Sequence, residues 1–434
     1  MYVCARMKCL VGCAIVTGVL LQDARPASEI PLRDISVGSA IDGTFGLILS
    51  AHELRDGRIL VNDPEHRRLM LWDGNLRQLT VVSDSSPGAL MPYGDVPAQI
   101  IPYRGDSILF VNSVSRTLLL LDPAVKFVRA VALPHAADFR FVANSRTVAD
   151  AQGRLIYRAS FPPPHESFAK PAGTYVKRQP DAAPLVRADF ERRTVDTLDA
   201  LRIPVTESVK QTVRPDGSSS YIATFYPLDW ADDWGVTSDG SVVIVRGQEY
   251  RADWIDRRGI RSSSAKMPFA WRRIGDDEKH RLADSVRVVM QAIMDTVRME
   301  SATRPRRELP LGSVSSGPMI GSFNLREGTS IALPLAAVIV AAEPSDMPDY
   351  YPAIRAGAVK TDRDGATWVL PQTTALGDSD RIIYDVVNRN GELFERVKMP
   401  TGRSIAGYGP GGQLFLMYRD DAKRWHLETG RVIR

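Results

Sequence analysis

Cysteine is nearly absent, and what there is sits at one end. Cys4, Cys9 and Cys13 are the three, and none follows. A chain trimmed past its first two dozen residues would have no thiol, which excludes disulfide stapling and cysteine chemistry. A dominant charge is also missing. Fifty-five basic residues face 51 acidic ones, a net of +4, and no basic stripe of the kind that nucleic acid requires is found. No apolar run reaches the roughly 20 residues of a transmembrane helix. His-Glu-x-x-His, Gly-x-Ser-x-Gly and a Walker loop are all absent. The six histidines (52, 66, 135, 165, 280 and 426) show no ligand spacing, so neither metal nor cofactor is expected. "GYGPGG" (407–412) matches Gly-x-Gly-x-x-Gly letter for letter, but it leads into a strand pattern where a dinucleotide site needs a helix. "RGD" (104–106) falls at a tight turn and is given no adhesive meaning. What remains is ordinary globular composition, 44% hydrophobic and 24% charged.

The N-terminus reads as a targeting segment. Arg6 and Lys8 precede the apolar run Cys9–Leu21, and small residues follow near Ala24 and Ala27. This is the pattern of a cleavable export signal over residues 1–27, so a periplasmic or extracellular protein is expected. "LVGC" (Leu10–Cys13) also resembles a lipoprotein box, with anchoring at Cys13 as the alternative.

The rest of the chain repeats itself. "RDGRILVN" is the first of six turn-then-β phrases, aligned on Gly57, Asp106, Gly153, Gly240, Gly365 and Gly412. The intervals are 49, 47, 87, 125 and 47 residues. Three agree on a period near 48, and the other two read as one unit plus an insertion. Each unit continues with a second β-run ("RRLMLWD", "RTLLLLD", "YRADWID", "RIIYDVVN"), a turn, and a third run that often stops at Pro. With the run leading into each turn, that makes four strands. Gly supplies the positive φ of a tight hairpin, and Asp or Asn stabilises it. A four-stranded sheet cannot bury both faces alone, and radial stacking of repeats solves this. The expected fold is all-β: a six-bladed β-propeller over residues 28–434. "SEIPL" (28–32) resembles the tail of a fourth strand, so the N-terminal segment is expected to pair with the last unit and close the ring.

On these repeats the chain resembles the exported bacterial six-bladed propellers, in the broad NHL-type group. "YYPAIRAGAVKTDRDGATWVL" (350–370) and "DWADDWGVTSDGSVVIV" (229–245) carry the likeness most clearly. The resemblance implies architecture. It implies little about function, because propellers host many unrelated activities.

Two insertions interrupt the units. Residues 161–184 are rich in Pro and polar residues and are expected as a long loop, functional or merely mobile. Residues 270–349 contain a helix over 276–301, capped by Asp276 or Asp277. Its apolar stripe is Leu282, Val286, Val289, Ile293 and Val297, expected to lie against the propeller rim, with partner binding as the sharper alternative. "ALPLAAVIVAA" (332–342) is expected as a buried strand or a turn of helix.

In a propeller, side chains from every innermost strand converge on the axis. Counting back seven to eleven positions from each turn selects Asp95, Gln99, Asn144, Arg146, Asp232, Asp233, Arg355 and Arg403, with Trp230, Trp234, Tyr350 and Tyr351 as neighbouring aromatics. His52 lies closer to its own turn. Such a polar funnel suits an anionic or sugar-like ligand, held by charge-assisted hydrogen bonds and stacking; mutual ion pairing that closes the channel is the structural alternative. The functional expectation is an exported binding or scaffold module, probing a small molecule or protein through its axial face and monomeric. The competing expectation is a metal-dependent lactonase or esterase. Asp95, Asn144, Asp232 and Asp233 would then offer oxygens to a divalent cation, although Arg146, Arg355 and Arg403 would oppose it.

Overall fold

The computed structural model describes residues 30–434, apart from 42, 44, 74–78, 87–91, 95–97, 160–170, 179, 304–319, 326–328, 335–336 and 376–381. The expected export signal lies outside these residues. Among them, six sheets follow the six repeats in chain order, each with four antiparallel strands and the fifth with one more strand added in parallel at its edge. Their first strands are Ser50–Glu53, Ile100–Pro102, Thr147–Ala149, Asp233–Val236, Val359–Thr361 and Arg403–Tyr408. All six residues on which the phrases align have positive φ: +83°, +65°, +73°, +86°, +90° and +72° for Gly57, Asp106, Gly153, Gly240, Gly365 and Gly412. The repeat is therefore a repeat of backbone geometry, and Asp106 keeps it without glycine.

The sheets stack face to face in a ring, and the cores lie between them. One apolar cluster joins sheets one and two through Leu60, Leu69, Phe110 and Leu119. Another joins two and three (Leu109, Val111, Leu155, Tyr157), and another three and four (Ile156, Leu185, Trp234, Ile244). The series continues from four to five (Val243, Tyr250, Val359, Val369) and from five to six (Trp368, Val386, Leu414, Leu416). It ends between six and one, where Phe415 and Leu427 meet Ala51, Val61 and Trp72. This is a β-propeller. Second strands such as Ile59–Asp63 and Ile108–Asn112 are buried along their whole length. Both of their faces meet a neighbouring sheet, so they read as continuous apolar runs rather than alternating ones.

Both ends of the chain meet in sheet six. Ile35–Ala40 pairs antiparallel with Trp425–Val432 and supplies the fourth strand. The expected closure is present, with one adjustment. The short stretch before it, Leu32–Arg33, lies parallel to Leu393–Lys398 on the outer edge of sheet five instead.

The insertions build a separate sheet. Gly173–Arg178, from the segment expected as a loop, pairs with Glu207–Val213, which pairs with Ser219–Phe225. Val338–Ala341 completes it in parallel, so the apolar run near 340 is a strand. The helix is Asp276–Thr303. Its buried face is Ala283, Met290 and Met294, while Val289 is 53% exposed. Met290 and Met294, with Val286 and Ile293 beside them, pack on Tyr221, Ala223, Phe225 and Ile339 of the added sheet, not on the propeller rim. The stripe read from the sequence is therefore in contact at Leu282, Val286 and Ile293 and exposed at Val289, and Met290 and Met294 fill the centre of the contact. Val297's side chain lies outside the described residues. No helix among the described residues is long and apolar enough to cross a membrane.

Close approach of first strands sets the ring's tightest seam. A Cβ at Gly407 of sheet six would collide with the Ala51 carbonyl oxygen of sheet one. Gly407→Ala is expected to destabilise the fold by about 3 kcal/mol through overpacking, read from urea unfolding. A change within ~0.5 kcal/mol, usual for unconstrained positions, would contradict this seam.

Candidate functional site

A cavity of about 600 Å³ opens on the axis, and all six sheets line it. Sheet one contributes Ser50, Ala51 and His52, sheet two Pro102 and Tyr103, and sheet three Ala149 and Asp150. Sheets four, five and six contribute Val236–Ser238, Thr361–Arg363, and Gly407 with Tyr408. A smaller cavity of about 230 Å³ shares Val236, Thr361, Gly407 and Tyr408, and runs further along the same strands to Arg146 and Val148. The larger space therefore lies at the ends of the first strands that enter the glycine turns, and the smaller one nearer their beginnings.

The walls are held by hydrogen bonds between sheets. Thr361 Oγ1 donates to the Val236 carbonyl at 2.7 Å, and Lys360 Nζ to the Ile405 carbonyl at 2.8 Å. Arg363 Nη1 reaches the Glu53 carbonyl of sheet one at 2.8 Å. Burial, then the Arg363 charge, holds the His52 imidazole down to about 4. Near neutral pH it is therefore an uncharged ring in the wall, able to accept or donate a hydrogen bond. Burial pushes the Glu53 carboxyl up, and Arg363 offsets part of that. Asp362, in the turn of sheet five, is likewise pushed up by burial while accepting from Trp368 Nε1 at 3.0 Å.

The residues selected by counting back from the turns lie elsewhere. None of those described lines the larger cavity, and Arg146 alone lines the smaller. The Arg146 guanidinium donates to Asp233 and to the Val359 carbonyl, and lies 5.1 Å from the buried Trp234 ring. Asp233 also accepts from the Val359 amide at 2.7 Å. Asp232 is bound by Arg246 at 2.9 Å, which also holds Asp199 (3.0 Å) and Asp253 (2.7 Å). Gln99 Nε2 donates to the Ser145 carbonyl of the next unit at 2.8 Å. Arg403 pairs with Glu428 and covers Tyr418. The Tyr351 hydroxyl donates to Glu278 at 2.8 Å, fastening the long helix. Trp230 stacks at a tilt on Trp271, with centroids 5.8 Å apart. Arg355 is exposed and lies 3.2 Å from the Gln372 amide. Asn144 ends the short helix Phe139–Asn144, and its side chain, like all of Asp95, lies outside the described residues. Among the described residues no three His, Cys, Asp or Glu side chains gather as a metal site.

Counting seven to eleven positions back reached the far ends of the first strands, where charges stitch one sheet to the next. The cavity is built from residues closer to the turns, a signal visible at His52.

The chain matches no protein-family model and no curated protein. Its fold is similar to several solved structures. A luciferin-regenerating enzyme is 11% identical with a TM-score of 0.40, covering 92% of this chain and 95% of that one. A streptogramin B lyase is 9% identical with a TM-score of 0.34, covering 92% and 97%. A gluconolactonase from Xanthomonas campestris is 10% identical with a TM-score of 0.35, covering 91% and 98%. Likeness at this level concerns strand arrangement and assigns this chain no residue, ligand or reaction.

Two outcomes follow from the geometry. Removing the charge at Asp233 leaves the Arg146 guanidinium and the Val359 amide under-satisfied. Asp233→Asn is expected to cost about 2 kcal/mol of unfolding free energy, whereas a solvent-lined ligand group would leave it nearly unchanged. For His52, the unfolded chain protonates near 6.5 and the folded one only near about 4. Between those values the unfolded state binds more protons, so stability falls as pH falls through the window. The stability difference between wild type and His52→Asn is expected to shift against wild type from pH 6.5 to 4; a constant difference would contradict the buried, neutral ring.

Proposed function

We propose that this chain is an exported, six-bladed propeller of NHL-like type that binds a small polar molecule in its axial cavity. The observation that carries the reading is the convergence of all six first strands on one space of about 600 Å³, within the range of small-molecule sites. His52, Tyr103, Ser238 and Arg363 bring hydrogen-bonding groups to it from four different sheets. Export rests on the N-terminal signal pattern. A cation-dependent hydrolase is less well supported. Asp232 and Asp233, the carboxylates it would need, are each committed to an arginine, and a cation would have to displace those partners.

A melting-temperature screen of small polar compounds tests the reading. Ala149 lines the cavity, and Ala149→Phe puts a ring into it. Compounds that raise the melting temperature of wild type are expected to have no effect on this variant, since stabilisation requires binding to the native state. Equal responses in both proteins, or no response from any polar compound, would count against an axial ligand site.

A further inference from the structure

This inference rests on the axial cavity being a ligand site and adds the class of ligand. Five charged side chains among the described residues line the cavity: Arg104, Asp106, Asp150, Asp362 and Arg363. Four are answered from within the fold. Arg104 donates to Glu191 at 2.7 Å and to the Gln152 carbonyl. Asp106 pairs with Arg55 at 3.0 Å and Asp150 with Arg154 at 2.7 Å. Asp362 accepts from the indole of Trp368 and from the amides of Asp364 and Ala366. Arg363 is the exception. Its side chain makes one hydrogen bond, to a backbone carbonyl, and no carboxylate among the described residues forms an ion pair with it.

A guanidinium offers five N–H donors in a planar fork, and here a single one is used. The imidazole beside it brings no charge at neutral pH. We infer that the cavity takes a ligand bearing a single carboxylate, gripped by Arg363 through the two parallel hydrogen bonds that a planar fork and a planar carboxylate share. A monoanion fits better than a dianionic phosphate. Among the described residues only one positive charge in the wall is unmatched, and the carboxylates of Asp106, Asp150 and Asp362 line the same cavity. Arg363 donates to the Glu53 backbone carbonyl at 2.8 Å, which sets the Glu53 carboxyl on the residue next to the grip, where its negative charge would act against a second anion.

The test uses the whole mature chain at pH 7, with benzoate and lactate as probes. Benzamide and lactamide are the uncharged counterparts, and inorganic phosphate is the dianionic one. Calorimetric titration is expected to show binding of the carboxylates and at least tenfold weaker binding of the amides and of phosphate. Arg363→Gln is expected to weaken carboxylate binding at least tenfold, and Arg363→Lys to weaken it by less. Glu53→Gln is expected to strengthen it several-fold, a change of opposite sign that no loss of folding imitates. Amides binding as well as carboxylates, with both blocked by Ala149→Phe, would overturn the ligand class while leaving the cavity site standing. So would tighter binding of phosphate, or carboxylate binding indifferent to Arg363→Gln and Glu53→Gln. Silence from every probe would remove the class and the site together.

Discussion

One antiparallel pairing carries the rest of the structure: Ile35–Ala40 against Trp425–Val432. Every sheet needs a neighbour on each face, because its second strand is buried on both. Five of the six inter-sheet cores could form along an open stack. The one between sheets six and one, built on Phe415, Leu427, Val61 and Trp72, forms only when the ring closes. The N-terminal strand fastens that join across nearly the whole length of the chain. The entropy of bringing such distant segments together grows only slowly with loop length, so a short strand suffices. The axial cavity is a consequence, since its six walls face one another only in a closed ring.

The polar groups divide into two populations with different work. At the beginnings of the first strands and on the flanks of the sheets, arginine and aspartate cross from one sheet to the next. Arg246 gathers three carboxylates, Arg146 ties sheet three to Asp233 and Val359, and Tyr250 of sheet four donates to Asp385 of sheet five at 2.5 Å. Such buried pairs add modest net stability but are costly to break, so they fix how neighbouring sheets sit. At the turn ends the charges are fewer, and all but one are answered, Asp150 and Asp362 within their own turns and Arg104 and Asp106 by Glu191 and Arg55 of the adjoining sheets. The exception is Arg363, which spans to sheet one with most of its donors unoccupied.

Much of the fold was legible in the sequence because it rests on local chemistry. A residue able to take positive φ must sit at each tight turn, and all six aligned positions do so. Closure was legible for the same reason: the last unit lacks a fourth strand and the N-terminal segment has one to offer. The added sheet was not legible, because its strands come from three separated stretches, 173–178, 207–225 and 338–341, and no local period connects them. The helix was visible and so was most of its packed face, at Leu282, Val286 and Ile293; Val289 alone is exposed where contact was expected, and Met290 and Met294 fill that contact. The candidate site was legible only at His52. A repeat locates the strand that lines the axis. Which end of that strand opens into a cavity depends on how the sheets are inclined and stitched, and that is set by contacts between units far apart in sequence.

Hydrogen exchange of the backbone amides in Ile35–Ala40 tests the closed ring most directly. Closure predicts that the hydrogen-bonded amides of this strand exchange as slowly as those of Trp425–Val432, opening only with global unfolding. Rapid exchange of Ile35–Ala40 beside a protected Trp425–Val432 would contradict it, and the axial cavity would lose the geometry on which its reading depends.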